Sequence, residues 1–206
     1  MGQRGREKGA SGEESRALLL KIAADEFAQK GYYETKVSTI VKRANLTQPT
    51  FYLYFQSKEA IFQELVDAFR QNLFAYTKKS SLEPGIDSHS VPEALTKHLA
   101  AIFTYFVENP NLARIGFLIA QEAEELKKQL AAQMTDNLVS GQQNKYYRSN
   151  IDMSIVAESL VGIIERLTVT QLLQGKKQPE EIANEIVPLF LYGMLFHEDG
   201  GENHKD

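Results

Sequence analysis

Residues 44–58, ANLTQPTFYLYFQSK, constrain the fold more than any other stretch of the chain. Asn45 tolerates the left-handed backbone that ends a helix, and Leu46 can tuck an apolar side chain under the resulting turn. Thr47 is a favourable N-cap, and Pro49 falls in the first helical turn, where a missing N–H costs nothing. The helix that follows is too short to be stable alone. Phe51 and Phe55, four apart, point one way and anchor it to neighbours, which leaves Gln48, Thr50, Tyr52 and Tyr54 for the other sides. A brief helix held by its neighbours, offering an amide and hydroxyls outward after a tight turn, is built like the recognition helix of a helix-turn-helix.

The flanks agree with this reading. Leu19, Ile22, Ala23 and Phe27 recur at helical spacing over residues 14–30, and Gly31 suits the position just past the helix end. Tyr32 and Tyr33 read as packing residues. Thr35 is the expected N-cap of a second helix, residues 36–43, with Val37, Ile40 and Val41 turned inward. Thr35, Lys36 and Ser38 then gather at its positive end, a natural seat for a phosphate. Ser57 is expected to cap a long fourth helix, with Ile61, Phe62, Leu65, Phe69 and Leu73 along one stripe. Lys36 and Lys58 flank the recognition helix and are expected on phosphates. Gln48 is the best candidate for pairing with adenine and Thr50 for a thymine methyl, while Tyr52 and Tyr54 suit phosphates. Residues 1–13 are Gly-rich, basic and aperiodic, which predicts a flexible arm from which Arg4, Arg6 and Lys8 can approach DNA.

The remaining two thirds reads as helices throughout. Residues 80–92 form the clearest loop. Beyond it lie a stripe of Leu95, Leu99, Ile102, Phe103 and Phe106, a break at Asn109-Pro110, and a short helix to about residue 120. A long helix over residues 121–148 carries Leu126, Leu130, Met134 and Leu138, with Gly141 weakening it. The segments at 152–174 and 179–196 are apolar on nearly all sides, and a helix apolar all round must be buried all round. One chain of 206 residues would struggle to cover both, so a second copy is the economical partner. Pro188 should bend the last helix, and Arg166 would need a partner if buried.

Charge and composition narrow the function. The net charge is −4, yet residues 1–60 carry ten Lys/Arg against seven Asp/Glu, so the positive end coincides with the helix-turn-helix. Without cysteine, neither disulfide nor thiolate chemistry is available. No apolar run reaches membrane-spanning length, which predicts a cytoplasmic protein that makes no use of a membrane. His89, His98, His197 and His204 lack metal-ligand spacing, and no nucleophile–base set or Gly-rich phosphate loop emerges. The expectation is therefore no metal, no cofactor and no enzymatic activity. His98 could line a cavity, but a partly buried structural role is the preferred reading.

Residues 35–59, TKVSTIVKRANLTQPTFYLYFQSKE, together with FAQKGY at 27–32, resemble the DNA-binding core of the TetR family of bacterial transcriptional regulators. The FYLYFQSKE run is the most specific part. Asn45 stands where the family usually has Gly, Pro49 where a small residue is usual, and Arg166 where a small residue is frequent. The resemblance implies an all-α chain: a basic arm (1–13), a three-helix helix-turn-helix domain (14–58), and a helical effector-binding and dimerisation domain (59–206) entered through a connecting helix (58–79). Its DNA-binding residues would be Thr35, Lys36, Ser38, Thr47, Gln48, Thr50, Tyr52, Tyr54 and Lys58. The inner faces of the fifth to eighth helices would enclose a small-molecule pocket, with Phe103, Phe106, Phe117, Met134 and Leu138 as candidate lining, although core packing is the stronger reading for each. The last two long helices would form the homodimer through Leu160, Ile164, Leu189 and Phe190. The implied function is a repressor released from a palindromic operator on double-stranded DNA by a small-molecule effector. The alternative is a DNA-bound interaction protein whose C-terminal domain recruits a protein partner.

Overall fold

The structure, a computed structural model, describes residues 4–194, with side chains from Gly12 onward. Among these residues there are only helices and their connections. α1 (Arg4–Glu34) is kinked at Gly31, whose φ of 78° a side chain would oppose. α2 (Val37–Arg43), α3 (Gln48–Tyr54) and α4 (Lys58–Lys79) follow. After a loop with one 3₁₀ turn (Ser88–Ser90) come α5 (Val91–Glu108) and α6 (Pro110–Arg114). The latter runs into a π-helical turn, Ile115–Ile119. α7 (Ala123–Gln143), α8 (Met153–Leu167) with a π-helical extension Thr168–Leu172, and α9 (Pro179–Tyr192) complete the described residues. No described helix is long and apolar enough to cross a membrane.

α1 begins at Arg4, inside the stretch expected to be a flexible arm, so the first helix is ten residues longer than its apolar periodicity suggests. The side chains of Arg4, Arg6 and Lys8 lie outside the described residues, as do Leu195, Phe196, His197 and His204.

Two hydrophobic cores divide the molecule, and α4 belongs to both. Its first half, Ile61 to Val66, packs with Leu19, Phe27, Ile40, Phe51 and Phe55. Its second half, Phe69 and Leu73, packs with Phe103, Phe106, Phe117 and Leu130. The N-terminal core also takes in Ile115, Ala120 and Ala123 from the far side of the chain. Contact there is close: a Cβ on Gly116 would collide with the Phe69 ring. In the body, α9 packs along α5 and α8 along α7.

Candidate functional site

The turn between α2 and α3 is built as its residues dictate. Asn45 takes φ 54°, Asn45 N–H donates to Lys42 O (3.2 Å) and Leu46 N–H to Val41 O (2.9 Å), which closes α2 with a Schellman motif. Thr47 caps α3, its Oγ1 accepting from Thr50 N–H at 3.4 Å and lying 2.9 Å from the Thr50 hydroxyl. Phe51 and Phe55 are buried beneath α3, with the Arg16 guanidinium 5.0 Å from the Phe55 ring. Ser57 caps α4 through Ala60 N–H (3.1 Å).

Polar ties lock these helices together. Glu26, 2% exposed, accepts from Lys30 and from Arg43 at 2.7 Å each, and Arg43 also pairs with Asp25 at 2.5 Å. Burial pushes the Glu26 carboxyl up, but the bonds from Lys30 and Arg43 outweigh it and hold its pKa below the ordinary value. Arg16 pairs with Glu64 at 2.6 Å, joining α1 to α4. The Tyr32 hydroxyl donates to Glu59 (2.5 Å), which brings that carboxyl down to about 2.

Two expectations on this face, the Thr35 cap and the packing of Tyr33, are corrected. Thr35 does not cap α2: the cap position is Lys36, and Thr35 is 1% exposed with its hydroxyl donated back to Gly31 O at 2.8 Å. α1 runs on past the Gly31 kink to Glu34 and the extended residue is Lys36, so α2 starts one residue later than expected and Thr35 is turned inward. Lys58 folds back onto the protein. Its ammonium donates to Tyr32 O (3.0 Å) and Thr35 O (3.1 Å) and lies 4.3 Å from the Tyr32 ring centroid, so it holds the α1–α2 turn against α4. Tyr33 is not packed but 77% exposed, its hydroxyl accepting from Gln121 Nε2 at 3.2 Å.

Lys36, Ser38, Thr47, Gln48, Pro49 and Tyr52 are exposed, whereas Thr50 and Tyr54 are half-buried. Leu53, missing from the sequence reading, is 79% exposed. It lies on the far side of α3 from Phe51, about 200° around the helix, and with Pro49 it forms the outermost ridge. That angle was available as a signal in the sequence.

The body holds a cavity of about 160 Å³ between α5, α7, α8 and α9, closed by the end of α4 and by Tyr147 and Ile151. Met134 and Leu138 line it, as expected. Phe103, Phe106 and Phe117 do not: all three are at most 2% exposed in the solid core, where Phe106 and Phe117 pack around Phe69 with ring centroids 5.0–6.0 Å apart. His98, Asn137 and Tyr147 line the cavity instead, together with the apolar residues of α5 and α9. A Cβ on Gly141 would overlap the Tyr147 ring, so this glycine is a seat for Tyr147 rather than a weak point in α7. Lys145 at φ 65°, with Tyr146 N–H on Gly141 O (2.9 Å), ends α7 and turns the chain back toward that seat.

The expected dimer residues divide in the same way. Ile164 is 2% exposed within its own chain, and Leu160, Ile164 and Phe190 line the cavity. Their stripe on α8, with Met153, Ala157 and Val161, is the inward one. Only Leu189 of the four is exposed, at 37%. The outward faces of α8 and α9 carry Ile155, Gly162, Arg166, Pro188, Leu189 and Tyr192, all exposed, so Arg166 is not buried and α9 continues through Pro188. No group of described residues could hold a metal ion.

A model of the family described as bacterial regulatory proteins, tetR family, matches residues 19–65. The HTH-type transcriptional regulator YdgC of Bacillus subtilis (strain 168) is 45% identical over 186 residues, 90% of this chain and 95% of that protein. PfmR, a TetR family transcriptional regulator of Thermus thermophilus, has the same fold, with a TM-score of 0.72 at 22% identity, covering 86% of this chain and 99% of that one. The transcriptional regulator FadR of Bacillus subtilis, solved in complex with stearoyl-CoA, has a TM-score of 0.66 at 21% identity, covering 87% and 99%. With a helix-turn-helix built residue by residue at its N-terminal end and a relative of such identity along nearly its whole length, the chain belongs to the tetR family and is a DNA-binding transcriptional regulator.

Proposed function

We propose that the protein is a homodimeric repressor that holds a palindromic operator and releases it when an apolar or amphipathic small molecule enters the cavity of the body. The observation that carries this reading is the double membership of α4. Its N-terminal half is part of the core under α3, and the residue that follows it, Ser80, lines the cavity. A ligand that favours a tilted α4 would move the two recognition helices without touching them, provided it binds the tilted state more tightly. The apolar lining accords with this, as does the likeness to a regulator that carries stearoyl-CoA.

Reading of bases falls to the exposed residues of α3. Gln48 remains the candidate for adenine, the Pro49–Leu53 ridge suits thymine methyls, and Lys36, Ser38, Thr47 and Tyr52 suit phosphates. Thr50 and Tyr54 are half-buried supports. The dimer forms through the outward faces of α8 and α9, around Ile155, Gly162, Leu189 and Tyr192. A single short helix reads too few bases to select one genomic site, so two must act together.

Selection of genomic fragments bound by the full chain tests the proposal. A two-fold symmetric motif with half-site centres about 34–36 Å apart, or a multiple of that, is expected. Asymmetric fragments, or DNA release only by a protein partner and by no small molecule, would contradict it.

A further inference from the structure

We infer that the cavity is shaped for an alkyl chain bearing one uncharged hydrogen-bonding head, an alcohol or an amide, with the head seated at Nδ1 of His98. The inference rests on reading the cavity as the effector site. Its lining contains no Asp, Glu, Lys or Arg. A charged head drawn into it would lose its hydration with no counter-charge to replace it, which is far costlier than burying a neutral one.

The polar side chains among the lining residues are neutral, and three of these residues meet at the end of α4. The Ser80 hydroxyl and Asn137 Nδ2 both donate to Thr77 O, at 2.6 and 2.8 Å. His98 lies against the Ser80 backbone, and burial, with Lys97 nearby, lowers its pKa and keeps the ring neutral near pH 7. Ser80 and Asn137 thus each place a donor on the Thr77 carbonyl. His98 differs: its Nδ1 is buried without a hydrogen-bond partner. Buried nitrogens of this kind are normally paired, and leaving one unpaired is unfavourable. A hydroxyl can meet Nδ1 in either tautomer, as donor or as acceptor. The same histidine borders a second recess on the far side, along with Lys79 and Glu83, so it stands where the apolar chamber gives way to a polar mouth.

The test titrates the full-length protein at pH 8 with 1-octanol, 1-chlorooctane and octanoate, for wild type, His98→Leu and His98→Gln. In wild type, 1-octanol should bind at least about tenfold more tightly than octanoate. His98→Leu should cut the ratio of 1-octanol to 1-chlorooctane affinity by about fivefold, the size of one neutral hydrogen bond, and His98→Gln should largely restore it. Octanoate binding as tightly as 1-octanol would overturn the inference and place the head in the mouth, against Lys79. An unchanged ratio in His98→Leu would also overturn it, while leaving the cavity an effector site. Should no octyl compound bind at all, the effector reading itself falls. If His98→Leu does not fold, the wild-type comparison of 1-octanol with octanoate decides alone.

Discussion

The DNA-reading end and the cavity-bearing body each have an apolar core, but polar ties sit differently in the two. At the N-terminal end, named polar atoms fix each helix: Glu26 between Lys30 and Arg43, Lys58 on two carbonyls, Thr47 and Ser57 as caps. In the body, large apolar side chains on α4, α5, α7, α8 and α9 form the larger core around the cavity, and polar ties such as Lys127 to Glu165 and Asn137 to Thr77 lie at its edges. The lesson is one of tolerance. A polar tie specifies two residues and one geometry, so the reading surface is rigid in register. An apolar wall specifies only volume, which leaves the body free to enclose a ligand and to shift when it does.

Breaking each region at its own centre should show the largest effects. Phe51→Ala removes a fully buried ring from the N-terminal core and should cost about 3–5 kcal/mol, as should Phe103→Ala in the body. Urea unfolding checks both, and Phe51→Ala alone should abolish DNA binding before the body unfolds. Gly116→Ala strikes the seam between the regions. Its Cβ would push Phe69 aside, at about 1–3 kcal/mol, and should alter operator affinity although Gly116 is remote from α3.

The polar end should also be the acid-sensitive one. The folded-state pKa of Glu26 lies below its ordinary carboxylate value, so its stabilisation is complete above that value and is lost as the pH falls through the folded one. Glu26→Gln should cost about 1–2 kcal/mol at neutral pH, because its partners are part-exposed, and should flatten the loss of stability below about pH 4.5. Urea midpoints across pH 3–7 measure this. The smallest effect separates two lysines. Lys36→Ala should reduce the salt dependence of operator binding by about one counterion per half-site. Lys58→Ala should weaken binding by loosening the α1–α2 turn while leaving the salt slope unchanged. Equal changes in slope would place both ammonium groups on phosphate.

The same contrast explains what could be read in the sequence. Capping is local, so Asn45, Thr47 and Ser57 were legible from a few neighbours. The bonds of Lys58 were not legible, because a long side chain can fold back onto carbonyls more than twenty residues away, which no local pattern records. The expected cap at Thr35 slipped by one position because α1 runs on to Glu34 and Lys36 takes the extended cap conformation. In the body, apolar stripes at helical spacing mark buried faces without saying what covers them. Phe103 and Met134 both sit on such stripes, yet the first lies wholly in the core while the second also walls the cavity. His98 gave no pattern at all, because its meaning depends on a single unpaired nitrogen.

The central claim is that two reading ends act as one unit, joined through the outward faces of α8 and α9. Leu189→Glu combined with Ile155→Glu tests it, since both side chains are exposed in the single chain and neither supports its own core. Sedimentation and operator titration of this variant should give a folded monomer that has lost specific binding by at least about a hundredfold, with the weak salt-sensitive binding to any DNA retained. A folded monomer that still held the operator at wild-type affinity would contradict the account.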